Sequence, residues 1–217
     1  MAVTVKSEQT RRLLIDTALR LFSVQGYEKT TMRAIALEAG VSVGNAYYYF
    51  RSKDDLIHEL YSSLQDEHRS LALPQIREGH NLGENLKVIL STGLDTMAPY
   101  HGFGIHFLRD VMAPDRRDAA AVGRGKSIAM FRLAVTSARP QPPLAIRDDL
   151  PELLWLMYMG ITLFWVYDRS PGQRRSHRFA ASLAPLVAKL VILSRLPVVR
   201  NIVEDVVNLL RGIRKDG

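Results

Sequence analysis

The feature that most constrains this chain is a pair of short helical segments hinged on a single glycine and followed by a longer helix. Leu14, Ala18, Leu21 and Phe22 make one face of a first helix, and Gly26 stands where a C-terminal cap would end it. Thr30 and Thr31 supply a cap for a second helix, Met32 to Ala39. Gly40 turns the chain without a Cβ penalty, and Ser42 can cap a third helix running from Val43 to about Phe50. Ser52 with Asp55 is a capping-box pattern, and Leu56, Ile57, Leu60 and Leu64 continue a fourth helix that connects this small unit to the rest.

The remainder is helical as well, because no run sustains the alternation of apolar and polar residues that a half-buried strand needs. Breaks fall at Gly79 to Gly83, Pro99 to Gly104, Pro114 and Pro140 to Pro143. Asp149 with Glu152 and Ser170 with Gln173 are capping-box patterns, expected to open helices over roughly 150–168 and 172–195. Pro197 separates a last helix, about 198–212, that ends in a basic tail. The expected class is all-α.

At 217 residues and 47% hydrophobic content, the chain holds one small domain and one larger one, each with its own core. Absence of cysteine removes disulfide and thiolate chemistry and fits a reducing cytoplasm. The polar start, Met1 to Thr10, has no signal-peptide core, and the 15-residue apolar run Leu153 to Tyr167 is shorter than the roughly 20 residues a membrane span needs. That run is expected to be a buried helix, with no membrane partner. A net charge of +7 suits a polyanion, yet residues 1–60 hold eight Lys/Arg against seven Asp/Glu, so bulk charge alone decides little.

The third helix has the make-up for a DNA major groove. Gly44 permits close backbone approach, Asn45 can hydrogen-bond a base or phosphate, and tyrosine hydroxyls can donate to phosphate oxygens. Lys29, Arg33, Arg51 and Lys53 around it outnumber Glu38. Three tyrosines in a row would also suit an ordinary helix, which must bury at least one; Ala46 and Phe50 are the better core positions.

Across residues 11–60 the sequence resembles the TetR family of regulators. The likeness runs through Arg12-Leu13-Leu14, Ala18, Leu21-Phe22, Gly26-Tyr27, Thr30 to Ala36, Ala39 to Ser42, Gly44-Asn45, Tyr47 to Phe50 and Ser52-Lys53. The resemblance implies a helix-turn-helix DNA-binding domain over 1–52 and a ligand-binding and dimerisation domain over 53–217. It implies a homodimer on a double-stranded palindromic operator, released by a small-molecule effector, with no catalytic activity and no cofactor. Carried over position by position, Thr31, Arg33, Ser42, Gly44, Asn45, Tyr47, Tyr48 and Lys53 are the candidate DNA contacts. Tyr49 stands where family members often have His, and Val43 would give an apolar base contact.

In the C-terminal part, Phe179, Leu183, Leu186, Leu190 and Leu193 step by the spacing of a helix-packing seam. With the apolar helix before it, this seam resembles the four-helix dimer interface of TetR regulators; an intramolecular core is the alternative, and Pro185 should kink it. Candidate effector-pocket liners are Tyr100, His101, Phe103, His106 and Phe107 beside the breaks at Pro99, Gly102 and Gly104, with Tyr158 and Trp165 (Trp155 and Met159 beside them) further on. Core filling competes with that role at each position.

Ala120 to Ser127, ending Gly125-Lys126-Ser127, fits a relaxed phosphate-loop pattern and would suggest a nucleotide hydrolase, but no strand precedes it. The six histidines are scattered without metal-ligand spacing, so no metal is expected. Arg169, Arg174, Arg175 and Arg178 could meet an acidic partner, although a solvated helix start is the default.

Overall fold

The computed structural model describes residues 2–106, 108 and 117–196, together with Asn201, Asp205 and Asn208. Its helices are α1 (Ala2–Gln25), α2 (Met32–Glu38), α3 (Val43–Tyr49), α4 (Lys53–Ala72), α5 (Leu82–Met97), α6 (Arg117–Ser137), α7 (Leu144–Arg147), α8 (Leu150–Tyr167) and α9 (Arg174–Leu193). All regular structure among the described residues is helical, as the sequence predicts. The expected helix at 198–212 lies outside the described residues, apart from three isolated positions. Two compact units emerge: residues 1–64 with 100–120, and residues 65–99 with 121–217.

The first unit closes on one apolar core. Leu14, Ala18 and Phe22 of α1, Met32, Ile35 and Ala36 of α2, Ala46 and Phe50 around α3, and Leu56, Ile57, Leu60 and Leu64 of α4 are all buried there. The turns have the local chemistry the sequence calls for. Gly26 and Gly40 have φ of +86° and +68°, a region in which a Cβ would be strained. Thr31 caps α2 by accepting from the Ala34 N–H at 3.1 Å, and Ser42 caps α3 by accepting from Asn45 at 3.1 Å. Thr30, fully buried, instead donates back to the Gly26 carbonyl. Arg11 grips Glu59 through two hydrogen bonds, 3.1 and 2.7 Å, with its guanidinium 5.0 Å from the Phe50 ring, which ties α1 to α4.

In the second unit α5 lies along α9, and Gly83 is what lets them approach. A Cβ there would sit 3.2 Å from the Pro185 Cα and 3.3 Å from the Ala188 Cβ. α9 is one helix with Pro185 inside it. Within the single chain α8 buries one side only. Leu154, Trp155, Tyr158, Ile161 and Trp165 face inward, while Leu156, Leu163, Phe164 and Tyr167 face out. By length and apolarity alone, Leu150–Tyr167 and Pro171–Leu193 could each cross a membrane.

Two expected capping boxes do not form. Asp149 makes no side-chain cap bond. Pro171–Gln173 forms a separate 3-10 turn, with Gly172 and Gln173 at φ of +61° and +49°, so Ser170 is displaced from the start of α9. Asp168 takes over the corner. One carboxylate oxygen accepts from the Ser170 N–H at 2.9 Å and the other from the Ser176 N–H and hydroxyl at 2.8 Å each. Burial alone would raise the pKa of this carboxyl, but the hydrogen bonds from Ser170 and Ser176 win and hold it well below the usual range. The phosphate-loop string, Ala120 to Ser127, is helical throughout as part of α6.

Candidate nucleic-acid interface

The outer face of α3 follows from its inner one. Ala46 and Phe50 are buried, so a 3.6-residue period turns Val43, Gly44, Asn45, Tyr47 and Tyr48 away from the core. Tyr48 is 82% exposed and Tyr47 49%, large values for rings of that size. Tyr49 is half-buried and meets the Tyr48 ring edge-on at 5.3 Å. A Cβ at Gly44 would touch nothing within 4 Å, so no internal packing demands glycine here. What the missing side chain leaves open is the outside of the helix.

The caps supply further donors. Thr31 and Ser42 each use a lone pair to accept a backbone N–H, which leaves both hydroxyl protons to donate outward. Arg33, Lys29 and Arg51 are exposed. Glu38 is paired with Arg20 at 2.7 Å, which reduces the negative charge on α2. Lys53 behaves differently from the other candidates. Its ammonium donates to the Tyr27 carbonyl at 2.7 Å and lies 4.2 Å from the Tyr27 ring centroid, so it is anchored within the unit.

The candidate effector residues are divided between the two units. Tyr100, His101, Phe103 and His106 belong to the first unit. There Phe103 is buried edge-on to Phe22 at 6.0 Å, Tyr100 packs against Phe103, and the His106 ring lies 3.9 Å from that of Tyr27. Phe107 lies outside the described residues. Tyr158 and Trp165 are buried in the second unit.

That second unit holds a buried polar centre that the sequence did not single out. His68 of α4 makes a 2.9 Å hydrogen bond to the Ile89 carbonyl. A carbonyl only accepts, so Nε2 carries the proton and Nδ1, buried and without a partner among the described residues, presents a lone pair. Burial lowers the His68 pKa and keeps the ring neutral, against the opposing pull of that carbonyl. The Tyr158 ring lies 5.9 Å away, and the Ser127 hydroxyl donates to Gln65 Oε1 at 2.7 Å nearby on α4. The signal was present in α4: Leu60, Leu64 and His68 recur every four residues, which places the imidazole on the buried stripe.

A short capped helix with an exposed tyrosine, asparagine and glycine face, set on a three-helix core, defines a helix-turn-helix DNA-binding regulator. Residues 14–60 match the model for bacterial regulatory proteins of the tetR family, and residues 85–209 match the tetracyclin repressor-like C-terminal domain. The chain belongs to the TetR family. It is 29% identical over 184 residues to the HTH-type transcriptional repressor KstR of Rhodococcus jostii, covering 83% of this chain and 84% of that protein. With the HTH-type transcriptional regulator AcrR of Shigella flexneri it shares 43% identity over 56 residues, 26% of each chain. The fold is similar to that of the transcriptional regulator FadR from Bacillus subtilis, solved in complex with stearoyl-CoA. That match has a TM-score of 0.65 at 17% identity and covers 80% of this chain and 96% of the other.

Proposed function

We propose that this protein is a repressor that binds a palindromic operator as a homodimer and is released by a small-molecule effector. Residues 1–52 read DNA, and residues 53–217 dimerise and hold the effector. The observation that carries this reading is the outer face of α3. Gly44, Asn45, Tyr47 and Tyr48 lie exposed on α3, and Thr31, Arg33 and Ser42 are exposed as well. Phosphate contacts from the hydroxyls and Arg33 would set the register, and Asn45 and Val43 would reach base edges. Lys53 acts from its anchored position by its field.

The dimer reading is supported by the second unit. Leu156, Leu163 and Phe164 on α8, with Phe179, Leu186, Leu190 and Leu193 on α9, form outward apolar stripes with no covering element among the described residues. The effector reading is supported by two buried polar atoms of the second unit without a partner among the described residues, the His68 Nδ1 acceptor and the Trp155 Nε1 donor. The protein would act in the cytoplasm, where its DNA is, and the reading assigns it no catalytic step.

Fluorescence anisotropy with duplexes from the region upstream of its own coding sequence tests this. The expected result is one preferred duplex whose binding weakens steeply with added salt. Equal, salt-insensitive binding to every duplex would contradict it.

A further inference from the structure

Between the end of α8 and the start of α9 lies an open cleft of about 680 Å³, walled by Phe164 and Tyr167 and lined by Arg169, Arg174, Arg175 and Arg178. All four arginines are exposed, and none has an ion pair or side-chain hydrogen bond with another described residue. Four like charges gathered around one concavity repel each other unless an anion joins them.

No carboxylate among the described residues fills that role. Asp168, the acid in the cleft, has both oxygens occupied by Ser170 and Ser176, and its charge is spent on the backbone corner. A second copy docked along α8 and α9 would bring no acid from α9, which contains none, and from α8 only Glu152, which is already paired with Arg124. The cleft volume is in the range of small-molecule sites, and clustered guanidinium groups match the spaced oxygens of linked phosphates.

We propose that this cleft is a binding site for a triphosphate-bearing anion, held by Arg169, Arg174, Arg175 and Arg178 at the α8–α9 corner. The chemistry is shared by inorganic polyphosphate and nucleoside triphosphates, with the exposed Tyr167 available to stack on the base of the latter. No bond is made or broken; the site is one of binding.

The test uses the full chain at low salt, with inorganic tripolyphosphate and ATP as separate probes in titration calorimetry and thermal unfolding. The wild type should bind at least one of them with micromolar affinity and melt several degrees higher in its presence. Whichever binds tighter identifies the source. Arg174→Gln/Arg178→Gln should lose at least tenfold in affinity while keeping the wild-type melting temperature without ligand. Arg33→Gln, on the DNA-binding face, should bind the probe as the wild type does. Failure of both probes to bind wild type would overturn the proposal. So would binding that survives the double substitution, or that is lost in Arg33→Gln.

Discussion

Tyr48 and Gly93 illustrate how single positions serve opposite ends of the chain. Tyr48 contributes almost nothing to folding, with 82% of its surface open, so Tyr48→Ala should leave the melting temperature unchanged. Its effect should appear in DNA binding instead, a loss of about 1 kcal/mol or more, roughly fivefold or greater, measured by anisotropy on the preferred duplex. Arg33→Ala should weaken binding to all duplexes alike and reduce the slope of log affinity against log salt by about 1. At Gly93 the expectation reverses. A Cβ would lie 2.4 Å from the Tyr158 hydroxyl oxygen and 3.0 Å from His68 Cε1, and both rings are buried with little room to move. Gly93→Ala should therefore destabilise by about 1–3 kcal/mol in denaturant unfolding. Wild-type stability there would mean that α5 can shift away from α8.

The elements show what was legible in the sequence and what was not. Caps and turns were, because they depend on residues within a few positions of one another: Gly26, Thr31, Gly40 and Ser42 all do what local chemistry requires. The corner between α8 and α9 was not. Ser170 and Gln173 have the right spacing for a capping box, but Gly172 and Gln173 turn left-handed and the Ser170 hydroxyl accepts from the Arg175 N–H instead, a backbone path that spacing cannot reveal. The packing of residues 100–106 against Phe22 and Tyr27 was equally hidden, because it joins segments some eighty residues apart. On α9 the seam spacing was readable, but only coordinates show that Phe179, Leu186, Leu190 and Leu193 point outward. If that stripe is the dimer contact, Leu186→Glu with Leu190→Glu should convert the protein to a monomer in analytical ultracentrifugation while retaining helix content. An unchanged sedimentation coefficient would place the interface elsewhere.

For the molecule as a whole, His68 links pH to stability. Its pKa is depressed in the folded state, so below about 6.5 the unfolded chain takes up a proton that the folded chain resists. Stability should fall as pH drops from 7.5 to 5.5, and the fall should be shallower in His68→Gln. Asp168 also has a depressed pKa, so its contribution persists through that window and is lost only below about pH 4. An equally steep decline in both proteins would assign the pH dependence to other groups. The central claim, that α3 reads a palindromic operator, is tested most directly by selecting bound duplexes from a random pool with wild type and Tyr48→Ala in parallel. The wild type should enrich an inverted-repeat consensus that is depleted with the variant; no enrichment by the wild type, or equal enrichment by both, would rule out operator reading by α3.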